Sequence, residues 1–428
     1  MNKSLLYTKE VEVKFSADIV VAGGGPAGVS AAVSAAKLGA KVYIIEQSGT
    51  FGGSSILAGV PELMNFDDGE KFISHGFGKE VFDALGLKSE FKREWYNVRP
   101  EQLKRVYDNL IEESKVNVLF YTRVVDAILD NGEIKALILS GAEGVFAIEG
   151  KAFIDATGSG ALSVLAGAEY EYGDENGTPM SATLCSMWGG VDFSKKGYDN
   201  ERYMEAYNNG VFSQYDTVLP GIKANFPEIN VGFGNVGHSF ELDDTSTESL
   251  TQATLHARKI LKQYEKYYKE YVRGCENSVL IKSADYIGIR ASRRIKCEYM
   301  LTKDDYFKKE SFYDEIGRYS YPIDIHPITS DKEGMEGFSK AVSIAHNSGE
   351  SYSIPFRSLV VKGVRNLLVA GRNIGADHYM QASIRVIPAC YITGQGAGAA
   401  ASIAVENSVG VKDISIEKLK EKLASLCK

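Results

Sequence analysis

Apolar runs broken by glycine turns open and close the chain, and a tyrosine-rich, more polar stretch lies between them. Near the start, "DIVVAG" is a short apolar run suited to a buried parallel strand and "GGGPAG" is a turn. Val29 to Leu38 then reads as an alanine-rich helix closed by Gly39, and "KVYIIE" predicts a second strand. Residues 61 to 115 mix acidic, basic and aromatic positions and predict helical segments, ending in the amphipathic "EQLKRVYDNLIEES". Beyond them, "VNVLFYTRVVDAILDNGEIKALILSG" alternates around Asn131-Gly132, a strong hairpin signal, and "KAFIDATGSG" predicts a buried strand ending in a glycine turn. A long helix is expected from Thr247 to Arg273, where Tyr264, Tyr267, Tyr268 and Tyr271 recur and predict packing rather than a substrate cage. The last segment repeats the opening pattern, with "NLLVAGRNIG" as strand and glycine turn and "IPACYITGQGAGAAASIAV" as a small-residue helix.

This order predicts an α/β protein with a Rossmann-type parallel sheet in a three-layer arrangement, interrupted by an inserted α+β domain. The ranges are 1–165 for the first part of the nucleotide-binding domain, 166–353 for the insertion and 354–428 for the second part. At 428 residues, 44% apolar and 24% charged, the chain is long enough for more than one core and has an ordinary globular composition.

A formal net charge of −8 gives no reason to expect nucleic acid or an anionic membrane as partner, so a small molecule is the expected one. Cys185, Cys275, Cys297, Cys390 and Cys427 are odd in number and form no C-x-x-C pair, which predicts neither disulfides nor a metal site and suits a reducing cytoplasm. The opening "MNKSLLYTKEVEVKF" lacks the apolar core of a signal peptide. The uncharged run from Ile19 to Ala36 imitates a membrane span, but its glycine cluster argues for a turn.

Gly23, Gly25 and Gly28 form G-x-G-x-x-G between strand and helix. The first permits the tight turn, the second lets backbone approach a pyrophosphate, and the third allows close packing, while the helix N-terminus attracts phosphate charge. Pro26 and Ala27 lie inside the same turn. Glu46, followed by Gln47, ends the next strand, where a carboxylate accepts hydrogen bonds from ribose hydroxyls and disfavours a 2′-phosphate. "GFGNVG", Gly232 to Gly237, matches the same spacing but leads into "HSFELDDT" instead of a small-residue helix, so no second nucleotide is expected there.

NAD and FAD suit this first half equally. Three later stretches separate them: "TFGGSS" with Gly52, Gly53, Ser54 and Ser55, "FIDATGSG" with Ala156, Thr157 and Gly158, and "LLVAGRNIG" with Gly371 and Arg372. Together with "IGIRASRRIKCEYMLT", "YPIDIH", "SIPFRSLVVKGVRNLLVAGRNIGADH" and "SIRVIPACYITGQGAGAAA", they make the chain resemble FAD-dependent oxidoreductases of the glutathione-reductase type, in the branch that includes fumarate-reductase-like flavoproteins. The resemblance covers nearly the whole chain. It implies FAD as cofactor, held noncovalently, with Val124, Arg385, Gly394 and Gln395 added to the cofactor-binding set. It further implies that the helix beginning near Pro388 points its N-terminus at the flavin, whose reduced form carries negative charge that a helix dipole stabilises. The redox cysteine pair of disulfide reductases is absent, which excludes their dithiol relay.

In such a protein the flavin carries hydride or electrons, and protein groups orient the substrate and move protons. His378, after the Gly-Arg turn, and His326, in "YPIDIHP", are the candidate acids or bases, each against a plain structural role. Arg290, Arg293 and Arg294 stand at helical spacing; on one face, with Arg290 and Arg293 as the candidates, they would clamp a substrate carboxylate or stabilise a developing anion, against an ion-paired face that supports the FAD domain. His238 is a weaker candidate. The expected activity is hydride transfer between FAD and a small organic substrate, with an unidentified electron donor or acceptor. Homo-oligomerisation is left open. The alternatives are a flavoprotein with structural or non-redox FAD, and the flavin subunit of a larger electron-transfer assembly.

Overall fold

The computed structural model describes residues 4–197, 200–218, 221–341 and 345–427. The first strand, Val13–Ala22, is buried over its C-terminal half and pairs in parallel with Val42–Ile45 on one side and Gly144–Asp155 on the other. Asn117–Leu119 extends the parallel order beyond Val42–Ile45, and Leu367–Val369 joins the C-terminal end of Gly144–Asp155, also in parallel. Continuous Val/Ile/Ala runs make strands that can be covered on both faces, which is what a parallel sheet requires. The N-terminal part of Gly144–Asp155 instead pairs antiparallel with Glu133–Gly141, and that strand with Arg123–Asp130, completing a seven-stranded mixed sheet. Asn131 and Gly132 both have positive φ, 50° and 76°, as the two-residue hairpin turn between these strands demands.

The helix Pro26–Lys37 and the 21-residue helix Ile387–Asn407 pack side by side against the sheet. Their contact is close because glycines meet backbone: a Cβ on Gly394 would lie 2.2 Å from the Ala27 carbonyl oxygen, and one on Gly398 2.3 Å from that of Ala31. Residues from both ends of the chain therefore pack on one sheet. Among residues 61–115, helices form over Phe77–Ala84 and Pro100–Glu113; Glu62–Leu63 and Tyr96–Asn97 pair as short strands.

The middle of the chain carries a four-stranded antiparallel sheet in the order Ile222–Phe226, Val231–Gly234, Ser186–Gly189, Val279–Ser283. The helix Thr247–Tyr271 backs it, burying Tyr264, Tyr267 and Tyr268 in a second core with Trp188, Tyr203 and Phe212. This second core draws on residues 184–275, whereas Ala291, Ile295, Cys297, Leu301, Tyr319 and Tyr352 belong to the first. From Ala291 on, these buried residues pack in the same core as the parallel sheet. Gly232 and Gly234 lie in a strand, and "GFGNVG" runs directly into the short strand His238–Ser239, not into a helix. No helix among the described residues is long and apolar enough to cross a membrane; Ile19 to Ala36 is strand, turn and helix.

Candidate functional site

A cavity of about 580 Å³, within the usual range of ligand sites, opens at the C-terminal ends of the parallel strands. One end is built from backbone. Gly23 has φ +101°, and a Cβ there would lie 2.5 Å from the Ala156 carbonyl oxygen, so the turn closes only with glycine. A Cβ on Gly28 would sit 1.8 Å from the Gly23 carbonyl oxygen. Gly25 is different: its φ is −70° and a Cβ would meet nothing within 4 Å, because it would project into open space beside the cavity wall. The following helix has no side-chain cap, leaving its first amides free at the wall formed by Pro26 and Ala27.

Glu46 is buried and lines the same end. Its Oε2 accepts from the Gly24 amide at 2.7 Å and its Oε1 from the Ser48 amide at 2.8 Å, and each oxygen keeps a second lone pair for a ligand hydroxyl. The Ala156–Gly158 turn is held from beneath by Asp155, which is fully buried. Asp155 Oδ1 accepts from the Thr157 amide and hydroxyl at 3.1 and 2.7 Å; its Oδ2 accepts from the Ser163 amide and hydroxyl at 2.8 and 2.7 Å.

The other end is built from charged side chains. Arg372 donates to the carbonyls of Gly158 and Ile289 at 2.7 and 2.9 Å. Arg385 donates from Nη2 to Asp324 Oδ2 at 2.9 Å, while its buried Nε has no hydrogen-bond partner among the described residues. Behind them Arg290, 7% exposed, donates only to neutral acceptors: the Ser181 carbonyl, Thr183 Oγ1 and Asn235 Oδ1 at 2.9, 2.7 and 3.0 Å. Burial brings its pKa down to about 10, helped by the charge of Arg385. Cys390, from the uncapped N-terminal turn of the Ile387–Asn407 helix, completes this corner. Asp244, Thr247, Leu250, Thr254 and Tyr286, from the middle of the chain, line the facing wall.

The structure brings Gly23, Gly25, Pro26, Ala27, Glu46, Gln47, Gly53, Ser54, Val124, Ala156, Thr157, Gly158, Gly371, Arg372 and Arg385 to the cavity wall. Gly28, Gly52, Ser55, Gly394 and Gln395 stand behind it. Gly52 donates to the Gly24 carbonyl at 2.9 Å, Ser55 Oγ closes the loop onto the Gly52 carbonyl at 2.6 Å, and Gln395 accepts from the Phe77 amide at 2.8 Å. Their part is to shape the wall.

The helical face expected for Arg290, Arg293 and Arg294 does not exist. Residues 289–293 are irregular and Arg294–Ile295 is a strand paired with Tyr170–Glu171, so the three guanidiniums go to three places. Arg293 donates to the Ser159 carbonyl at 3.2 Å and lies over the Tyr170 ring, and Arg294 pairs with Glu171 at 3.5 Å. His378 begins the helix His378–Ile384 and is not a wall residue; its buried Nδ1 has no hydrogen-bond partner among the described residues, and burial, with Arg294 next, lowers its pKa to about 4. His326 also stands behind the wall, Nε2 3.6 Å from Asp324 Oδ2 and Nδ1 2.9 Å from Nε2 of His238. Sequence reasoning missed Asp155, Asp244 and Asp324. Only Asp155 carried a local signal, lying two residues before Thr157 at a strand end.

The model of the FAD dependent oxidoreductase family matches residues 18–423. The chain belongs to this family. It is 26% identical over 164 residues to a thiamine thiazole synthase of Pyrococcus horikoshii, a match covering 36% of this chain and 62% of the relative. It is 29% identical over 157 residues to a leghemoglobin reductase of Vigna unguiculata, covering 34% and 28%. A mitochondrial dihydrolipoyl dehydrogenase of Schizosaccharomyces pombe is 27% identical over 157 residues, covering 36% and 30%. Each match thus spans less than two thirds of the relative's own length. Among solved structures, a geranylgeranyl bacteriochlorophyll reductase-like protein of Thermoplasma acidophilum is similar with TM-score 0.49 and 13% identity, covering 96% of this chain and 83% of that one. FAD is the family's cofactor, and the open space at Gly25, the uncapped helix and the Glu46 acceptors fit a dinucleotide.

Proposed function

We propose that this flavoprotein transfers hydride between noncovalently held FAD and a small organic substrate that approaches the Arg372 and Arg385 end of the cavity. The observation that carries this reading is one continuous cavity with a dinucleotide cradle at one end and a cationic corner at the other. Gly25, Ala27 and the helix amides would hold the pyrophosphate, Glu46 a ribose, and Gly53, Ser54, Gly371 and Cys390 the walls around the ring. Bound FAD supplies the hydride acceptor or donor.

The chain's own groups supply charge, orientation and exclusion of water. Arg385 lines the cavity with only its Nη2 engaged by Asp324, which leaves its other terminal nitrogen for a carboxylate or enolate oxygen. Arg290 adds positive potential from behind without touching the cavity wall. Leu250, Ile287 and Ile289 give the roof an apolar lining that sheds water. Five unpaired cysteines support a reducing, cytoplasmic setting.

The test is purification followed by anaerobic titration. Expected results are a yellow protein that releases FAD, not FMN, on denaturation, and bleaching of the flavin by a member of a panel of small organic acids. A colourless protein that cannot be reconstituted with FAD defeats the reading.

A further inference from the structure

Behind the cationic corner runs a buried chain of ionisable groups. Asp216, 1% exposed, holds His238, also 1% exposed: Oδ2 accepts the His238 amide at 2.8 Å, and both carboxylate oxygens lie 3.1 Å from Nδ1. His238 Nε2 and His326 Nδ1 share one hydrogen bond of 2.9 Å, with the rings 5.2 Å apart. His326 Nε2 faces Asp324 Oδ2 at 3.6 Å. That oxygen accepts from Arg385 at 2.9 Å and from the Tyr321 hydroxyl at 3.1 Å. Arg385 reaches the cavity wall. The groups come from separate stretches of chain, so no single local motif explains their alignment.

Proton counting shows what the alignment permits. The carboxylate of Asp216 fixes a proton on Nδ1 of His238, and the nitrogen-to-nitrogen bond carries one more. In the neutral pair, His326 donates to His238 and turns a lone pair toward Asp324. Adding one proton places N–H on His326 Nε2, pointing at that carboxylate, and either ring can carry the charge without a heavy atom turning. The pair lies between two carboxylates, Asp216 and Asp324. Facing it are also the positive charges of Arg290 and Arg385, the Tyr321 hydroxyl, and, within electrostatic reach of Asp216, the hydroxyls of Tyr203 and Tyr264.

We propose that the His238–His326 pair is a buried proton store that loads one proton from solvent when negative charge gathers at the Arg385 end of the cavity. The inference rests on the reading that FAD occupies that cavity. Negative charge there draws on Arg385, which otherwise engages Asp324, and leaves that carboxylate free to receive His326 N–H. Burial and Arg290 hold His326 well below its ordinary 6.5, so its ring is neutral near pH 7 until that charge arrives. Neither histidine lines the cavity; both act through Asp324 and Arg385 and are positioning residues.

The test uses the FAD-loaded protein reduced by two electrons from dithionite, with proton uptake read from the pH dependence of the midpoint potential between pH 6.5 and 8.5. One proton accompanies the electrons onto the flavin, leaving one negative charge, and a second from solvent enters the pair. The parent is therefore expected to take up two protons per two electrons, and Asp216→Asn and His326→Gln one each, with FAD content and visible spectrum kept. One proton in the parent, or two retained in both variants, overturns the proposal. Should Asp216→Asn fail to fold, His326→Gln and the histidine ring ¹⁵N signals of the parent decide: they must shift from imidazole to imidazolium on reduction, and unchanged signals overturn the store. A protein that binds no FAD defeats this inference together with the functional reading; bound FAD with a single proton defeats the store alone.

Discussion

The two ends of the cavity are made in different ways. At the Gly23–Glu46 end the groups facing the cavity are mainly backbone amides, a glycine face and one carboxylate of a single strand–turn–helix–strand unit, whose bonds run between near neighbours such as Gly24 and Glu46, 22 residues apart. At the Arg385 end the wall is backed by side chains from remote stretches: Arg290 meets Thr183 across 107 residues, His238 meets His326 across 88, and Arg385 meets Asp324 across 61. A backbone-built site is fixed by the fold and tolerates little change of glycine. A side-chain site of buried charges is assembled by packing of stretches far apart in the chain, and each member holds another's charge in place.

The sharpest way to break this contrast is within the glycine turn itself. Gly28→Val drives side-chain carbons into the Gly23 carbonyl oxygen, which would lie 1.8 Å from the new Cβ, and is expected to cost about 3 kcal/mol or more and to abolish FAD binding with it. Gly25→Val has extended backbone and open space, so it should leave apoprotein melting within about 0.5 kcal/mol of the parent while FAD is lost, since its side chain takes the cofactor's room. Thermal melts and flavin content distinguish the two. Equal loss of stability in both, or FAD retained by Gly25→Val, would contradict a cradle facing the cavity at Gly25.

At the other end the expected effect is on turnover, not on cofactor. Arg385→Lys keeps the charge but loses the fork that spans Asp324 and the cavity, and about a tenfold fall in kcat/KM with unchanged FAD content is expected once a substrate is in hand. Unchanged kcat/KM would remove Arg385 from substrate contact. Flavin loss in this variant would mean that the corner binds cofactor in the same sense as the glycine turn, and the two ends would no longer differ in kind.

The same difference decides what can be read from the sequence. Strand, turn, helix and acidic residue follow one another at Ile19–Glu46, and their physics is local, so the turn, its three glycines and the hairpin at Asn131-Gly132 are legible. The corner is not. Arg290, Arg293 and Arg294 fit helical spacing, yet "GIRASRR" runs irregularly into a short strand because Arg294–Ile295 pairs with Tyr170–Glu171, and spacing alone cannot announce that partner. His238 follows a glycine-rich strand and gains its meaning only from Asp216 and His326. Asp324 stands in a motif that draws the eye to its histidine. Which core Ala291 to Tyr319 joins is likewise hidden, since the stretch is polar enough to resemble its neighbours while its apolar members enter the first core.

His378 offers the smallest test and the one that separates it from both ends. It is near the flavin turn in sequence but off the cavity wall, so His378→Gln should change acid stability more than turnover. Its pKa is lowered from the ordinary 6.5 to about 4, first by burial and then by Arg294. The folded state therefore prefers the neutral ring, and the unfolded state binds the extra proton between these values. The stability contributed by the neutral ring is full above pH 6.5 and drains away as pH falls toward about 4. Denaturant midpoints from pH 7 to 4 should fall less steeply in His378→Gln than in the parent, with FAD content unchanged. A slope identical to the parent's would show that the ring is not held neutral by its surroundings, and a loss of turnover at pH 7 with that slope kept would return His378 to the groups acting on substrate.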